Sequence, residues 1–266
     1  MTRTITLTTD FGLNDPYVAE MKAVILGICP NAVIIDITHE VAKFNIRMGA
    51  YVLASAVPYF PEGAVHVGVV DPGVGTRRRP IVIQTRRGFF VGPDNGLLVL
   101  AAEKQGIMRI HELANPRFML PKVSHTFHGR DVFAPAAAHL MNGVKPEEFG
   151  PEIRKAVQPE FAKVTQKNGA LVGEVLHVDG FGNIITNINE KEVTQSHVKA
   201  EVSVDLAGHK LKLKLCQAYG ETKPHTPLAL IGSHGFLEIS INQGSAAKKF
   251  ETKPGDKIKL LLQGRP

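Results

Sequence analysis

Residues 64–80, AVHVGVVDPGVGTRRRP, read as a strand that stops on an acid and enters a glycine turn. The run from Ala64 to Val70 is nearly unbroken in apolar character, as in a strand covered on both faces rather than one that alternates between core and water. Asp71 closes it, and Pro72, Gly73, Val74 and Gly75 turn the chain sharply. Arg77, Arg78 and Arg79 follow at once, so a carboxylate and three cations share a few residues.

Outward from this stretch the pattern repeats. Ile5 to Phe11, AVIIDIT (32–38), PIVIQTR (80–86) and FFVGPDNG (89–96) read as further strands, with 32–38 expected to be buried. Between them lie helical stretches, from Asn14–Asp15–Pro16 to about Ile28, from about Asn45 to Tyr59, and from about Asn95 to Gln105. An Ala-rich helix follows HTFHGRDVF (125–133) and runs to about Asn142. Strands alternating with helices predict an α/β domain whose central sheet is flanked by helices. PEEFGPEIRKAVQPEF (146–161), with three prolines, reads as a linker. Beyond it come short β-rich segments separated by Gly, Asn and His turns, which predict a smaller all-β, barrel-like domain. The expected division is 1–160 and 161–266.

Composition narrows the function. The 31 basic and 25 acidic residues leave a charge of +6, but the positive positions are scattered and no aromatic-interleaved basic stripe accompanies them, which speaks against nucleic acid. Cys29 and Cys216 are the only cysteines, so a disulfide scaffold and a cysteine zinc site are not expected. The N-terminal strand lacks the apolar core of a signal peptide, and no apolar run is long enough for a bilayer; a cytoplasmic protein without membrane attachment is expected. HExxH, P-loop, GxGxxG and GxSxG patterns are absent.

Three acids end strand-like runs and enter glycine turns: Asp10 in TTDFG, Asp71 in VVDPGVG and Asp94 in GPDNG. In an open α/β sheet such positions converge beyond the carboxyl ends of the strands, where ligands bind. Each alone reads equally well as a turn residue. His128 precedes a helix that Asp131 could cap, and the positive helix end would keep the imidazole neutral and able to accept a proton. In the second half, Asp179, Phe181 and Asn183 place an acid, a flat ring and an amide in one glycine-rich turn (VDGFGNIITNI, 178–188). Ser233, Glu238 and Asn242 add polar groups in IGSHGFLEISINQGSA (231–246). A ring beside an amide suits a purine, held by stacking and by edge hydrogen bonds.

Taken in order, TTDFG, VVDPGVGT, GPDNG, TFHGRDVFAPAAA, DGFGNIITNI and GSHGFLEISINQG resemble the S-adenosylmethionine (SAM) hydroxide adenosyltransferase family over nearly the whole chain. The resemblance implies an α/β N-terminal domain, a C-terminal β-barrel, and a homotrimer that holds SAM between the N-terminal domain of one subunit and the C-terminal domain of the next. It implies attack of water on the 5′ carbon of SAM, giving adenosine and L-methionine, with SAM as substrate and no cofactor or metal. By the same resemblance Asp71, Arg78 and His128 form the water-activating set. Either His128 or Asp71 takes the proton while Arg78 orients water and carboxylate, with Arg77 and Arg79 as neighbours that could exchange places with Arg78. Asp10 is expected at the ribose hydroxyls, and Phe44 with Phe181 on the two faces of adenine. Asp179 and Ser233 are expected at the methionine amino and carboxylate groups, with Asn183, Glu238 and Asn242 completing the pocket.

Three other readings compete: a SAM- or adenosine-binding module without turnover, a metal-dependent hydrolase of another nucleoside, and a halide-using relative. Such halogenases carry tyrosine where Asp71 stands, and the fluoride users carry serine in place of Gly129. A carboxylate in a dry pocket repels a halide.

Overall fold

The structure, a computed structural model, describes residues 3–195 and 200–262. The chain divides into two units between Pro159 and Glu160. In the first, six strands form one mixed sheet: β1 (Thr4–Thr9), β2 (Val33–Thr38), β3 (Ala64–Val69), β4 (Pro80–Thr85), β5 (Gly88–Pro93) and β6 (Ile107–Glu112). Their order is β2-β1-β3-β5-β4-β6; the first four run parallel, and β4 pairs antiparallel with both β5 and β6. Thr9 stands opposite Val69, so β1 and β3 end side by side and deliver Asp10 and Asp71 to the same edge of the sheet.

Four helices cover the sheet, α1 (Tyr17–Ile28), α2 (Ile46–Ala56), α3 (Val99–Gln105) and α4 (Ala134–Met141). Period-two alternation sends Val65, Val67 and Val69 into one core with Met21, Ile25 and the alanines of α4. Phe90, Ile81 and Ile83 enter a second core with Leu53, Val57 and Ala101 from the α2–α3 side. Asn45 starts α2 as a side-chain cap, its Oδ1 accepting from the Met48 amide at 3.0 Å.

The strand expected to be buried at 32–38 is not. β2 is the outer strand, paired only with β1, and Val33 and Ile35 remain 51% and 39% exposed. An apolar run reports affinity for cover, and an edge strand carries the same signal as a central one.

His66 is buried on β3, its Nδ1 2.9 Å from Thr6 Oγ1 and its ring between Phe60 and Phe90. Burial, with a smaller contribution from the Arg87 charge, lowers its pKa from 6.5 to about 4. The unfolded chain therefore binds this proton first. The stabilisation from a neutral His66 is complete above pH 6.5 and is lost as pH falls from 6.5 toward 4, by roughly 3 kcal/mol in all. Urea unfolding across that window should show this loss in the wild type and a shallower one in His66→Gln; identical pH profiles would contradict it.

The second unit holds β7 (Thr165–Lys167), β8 (Ala170–Val178), β9 (Ile184–Asn189), β10 (Glu201–Leu206), β11 (His209–Cys216), β12 (Pro227–Ile231), β13 (Phe236–Ile241) and β14 (Lys257–Leu261). Seven of them, in the order β14-β10-β11-β12-β13-β9-β8, close into a barrel through the β14–β8 pair, and β7 adds to β8. Val202, Val204 and Leu206 of β10 and Ile258 and Leu260 of β14 point inward at alternate positions, which is how a strand fills a barrel. The α/β-plus-barrel expectation holds.

Candidate active site

In the first unit, a cavity of about 540 Å³ opens at the edge where β1 and β3 end, with Asp10, Phe44, Asp71 and His128 in its wall. Asp71 is held by Arg78. Arg78 Nε donates to Oδ1 at 3.1 Å and Nη2 donates to Oδ2, a bidentate pair with both side chains buried. The same Nη2 lies 3.1 Å from His128 Nδ1, and the guanidinium carbon sits 5.4 Å from the Phe133 ring centroid. Nη1 is buried and finds no acceptor among the described residues.

The three consecutive arginines have three fates. Arg77 is exposed, Arg78 turns in to Asp71, and Arg79 Nε donates to Asp94 Oδ2 at 3.0 Å. Asp94 also accepts from the Val157 amide at 2.7 Å. Asp94 thus ties the domain's last segment to the sheet, and the expected convergence of three acids reduces to Asp10 and Asp71. The neighbouring Asn95 has a role that its sequence did not signal: its Nδ2 donates to the Val70 carbonyl at 2.8 Å, fixing the residue before Asp71.

Gly75 lets the Asp71 loop approach the His128 loop. Its φ is +74°, and a Cβ there would lie 2.1 Å from the His125 carbonyl oxygen. His128 then leads into a single π-helical turn, Gly129–Phe133, before α4. Pro135 explains that turn. It has no amide hydrogen for the Asp131 carbonyl, which accepts instead from the Leu120 amide at 2.9 Å. Asp131 does not cap a helix as expected. Its buried carboxylate accepts from the Ser124 amide at 2.8 Å and from Arg130 Nε at 2.6 Å, clamping the 120–128 loop that carries His128.

Burial, and then the Arg78 charge, lower the pKa of His128 below 6.5. The imidazole is therefore neutral near pH 7. A guanidinium can only donate, so Nδ1 is the acceptor in the Arg78 contact and Nε2 carries the proton. Asp71 and His128 consequently differ in what they can do: each Asp71 oxygen keeps a free acceptor position, whereas His128 offers an N–H.

Asp10 accepts from the Phe44 amide at 2.8 Å, and Lys43 Nζ donates to its carbonyl. Phe44 takes φ +64°, an uncommon conformation for a bulky residue, and its ring is 69% exposed. Phe11, Tyr17 and Phe127, not expected at the site from the sequence, form a wall of mutually tilted rings with centroids 5.1–5.8 Å apart.

In the second unit a separate cavity of about 500 Å³ is lined by Asp179, Phe181, Asn183, Tyr219, Ile241, Gln243 and Gly244. Asp179 organises its turn, accepting from the amides of Phe181 and Asn183 and from Asn183 Nδ2, each at 2.9 Å. That leaves one of about four carboxylate acceptor positions. Phe181 is 82% exposed, and its ring is not spent on the barrel core.

Glu238 stands outside this lining, buried, and accepts from Tyr219 Oη and Ser240 Oγ at 2.7 Å each; it holds Tyr219 in the wall. Asn242 is engaged with the Thr222 carbonyl and the His225 amide. Ser233 is exposed in the β12–β13 turn, at the opposite end of the β9–β13 pair from Asp179. Among the described residues no three His, Cys, Asp or Glu side chains are grouped to hold a metal ion, and no helix is long and apolar enough to cross a membrane.

Residues 5–150 match the SAM hydroxide adenosyltransferase N-terminal domain and residues 173–259 its C-terminal domain. The chain is 43% identical to a protein of Methanocaldococcus jannaschii named (R)-S-adenosyl-L-methionine hydrolase, with 97% of this chain and 95% of that one covered. A fluorinase from an Actinoplanes species is more distant, 26% identical over 94% of this chain and 95% of its own. A crystal structure of an uncharacterized conserved protein from Thermotoga maritima superposes with a TM-score of 0.87 at 40% identity, covering 97% and 99% of the two chains.

Proposed function

Since the chain belongs to the SAM hydroxide adenosyltransferase family, we propose that it hydrolyses SAM to adenosine and L-methionine through Asp71, Arg78 and His128. The observation that carries this reading is one guanidinium bridging a carboxylate and an imidazole in the wall of a cavity. Binding alone does not need such a set.

Methionine leaves a sulfonium as a neutral thioether, so its departure needs no acid. Water is the weak partner and has to be oriented and deprotonated. Its oxygen bonds to the 5′ carbon as the C5′–S bond breaks and the electron pair goes to sulfur. One water proton passes to Asp71, whose oxygens retain acceptor positions. Neutral His128 holds the water through Nε2–H, and Arg78 keeps both partners in place.

Asp10 is assigned to the ribose hydroxyls, which a carboxylate can accept from in pairs. Phe44 and Phe181, both exposed rings, are assigned to the two faces of adenine, with Asn183 at the base edge. Asp179 keeps one acceptor for a ligand N–H, assigned to the methionine ammonium; Ser233, at the opposite end of the β9–β13 pair, lies too far away to hold the carboxylate of the same methionine. Glu238 and Asn242 act by holding the wall. The proposed assembly is a homotrimer that pairs domain 1–160 of one subunit with domain 161–266 of the next, and the proposed location is the cytoplasm. The Methanocaldococcus relative is named an (R)-S-adenosyl-L-methionine hydrolase, and a preference for the (R) form is proposed for this chain.

Incubation with resolved SAM epimers should release adenosine and methionine in equal amounts, faster from the (R) form and unchanged by EDTA. SAM left intact at high enzyme concentration would overturn the hydrolase reading, and EDTA sensitivity would favour a metal-dependent one. The pH profile gives a further check. His128 is neutral above a pKa that lies below 6.5, so kcat/KM should stay level down to pH 6.5 and fall only at lower pH. An acid limb centred above 6.5 would contradict the assignment.

A further inference from the structure

Behind Asp10 lies a hydroxyl–imidazole–carboxylate chain that the reaction itself does not use. Thr9 Oγ1 is 2.8 Å from His39 Nδ1, and His39 Nε2 is 3.1 Å from Asp36 Oδ1. Lys22 Nζ closes the far end, 2.6 Å from Asp36 Oδ2. The ring contact with Asp36 is close enough for charge but is not aligned as a hydrogen bond, so that link is electrostatic.

The polarity of the chain follows from its chemistry. A carboxylate only accepts, so His39 Nε2, facing Asp36, carries a proton, and Nδ1 pairs with the Thr9 hydroxyl. The Thr9 oxygen in turn accepts from the Phe11 amide at 3.2 Å.

The arrangement has the parts of a hydrolytic triad, but Thr9 is fully buried and its oxygen already receives an amide. It has no access to a substrate. What it can do is hold the turn Thr9–Gly12 in one geometry. His39 grips that turn twice, through its ring at Thr9 and through its carbonyl, which accepts from the Gly12 amide at 2.7 Å. The ladder between β1 and β2 shifts register between Leu7 and Thr8, which brings the 36–39 segment level with the turn.

We propose that Thr9, His39 and Asp36 form a positioning relay that fixes the Asp10 carboxylate for its ligand. The proposal rests on the assignment of Asp10 to the ribose. Thr9→Val removes the hydroxyl at nearly constant shape. It should raise KM for SAM about five- to tenfold, the worth of one buried neutral hydrogen bond, with kcat within about twofold because Asp71, Arg78 and His128 are untouched. Thr9→Ser should restore the wild-type KM, which a purely packing role would not produce.

The decisive step is a double-mutant cycle with Asp10→Ala. If Thr9 acts through Asp10, adding Thr9→Val to Asp10→Ala changes nothing further. Independent, multiplying effects would overturn the relay while leaving Asp10 as a ligand group. An Asp10→Ala variant with wild-type KM would overturn the ribose assignment and the relay with it. His39→Gln, expected to raise KM in the same way, serves if Thr9→Val does not fold, and a wild-type KM in folded His39→Gln would equally count against the relay.

Discussion

Asp71→Asn should lower kcat roughly a thousandfold while KM for SAM changes little, since a positioned proton acceptor is worth about 10²–10⁴ in rate. The amide keeps the shape of the carboxylate and one acceptor oxygen but cannot take the proton. The substitution also has a structural cost. The Asp71–Arg78 pair is almost wholly buried, with side-chain exposures of 5% and 7%, and asparagine leaves the guanidinium without its counter-charge. Breaking such a pair costs about 3–5 kcal/mol. Activity should therefore be compared below the variant's own melting temperature, with calorimetric binding of adenosine as the control for a folded site. A folded variant retaining more than a tenth of wild-type kcat would remove Asp71 from the chemistry. The same carboxylate opposes a halide nucleophile.

Arg78→Lys should cost roughly a hundredfold in kcat, although the charge is kept. The guanidinium makes two parallel bonds to Asp71 and reaches His128 from the same nitrogen, and a single ammonium cannot span all three positions. Without the bridge, His128 loses the contact that fixes its proton on Nε2, and the water loses its orientation. The neighbours supply the comparison. Arg77→Ala should leave kcat unchanged because Arg77 is exposed. Arg79→Ala should lower the melting temperature more than kcat, since Arg79 pairs with buried Asp94 rather than with the site. Equal losses at positions 77 and 78 would undo the assignment.

Much of this was legible because periodicity reports layers. The apolar run at 64–70 predicts a strand covered on both faces, and the short β-rich segments after Gly169, set apart by Gly, Asn and His turns, predict a barrel-like domain. Asp10 and Asp71 stood out because they follow parallel strands, and a shared register carries them to one edge. The limits have physical causes too. Sequence shows that β2 is apolar but not what covers it. Asp94, Asp131 and Asn95 look like site or cap residues because short polar side chains serve either purpose, and only their partners decide. The π-helical turn depends on Pro135 meeting a distant acceptor need, and Tyr219 depends on Glu238, nineteen residues further on. Such long-range pairings leave no local pattern.

In the proposed reaction, water deprotonated at Asp71 attacks the 5′ carbon of SAM. Single-turnover reaction in ¹⁸O-enriched water, read by mass spectrometry, tests it most directly. One ¹⁸O should appear in the 5′-hydroxyl of adenosine and none in methionine. Unlabelled adenosine, or a 5′-halogenated nucleoside formed in the presence of chloride, would contradict it.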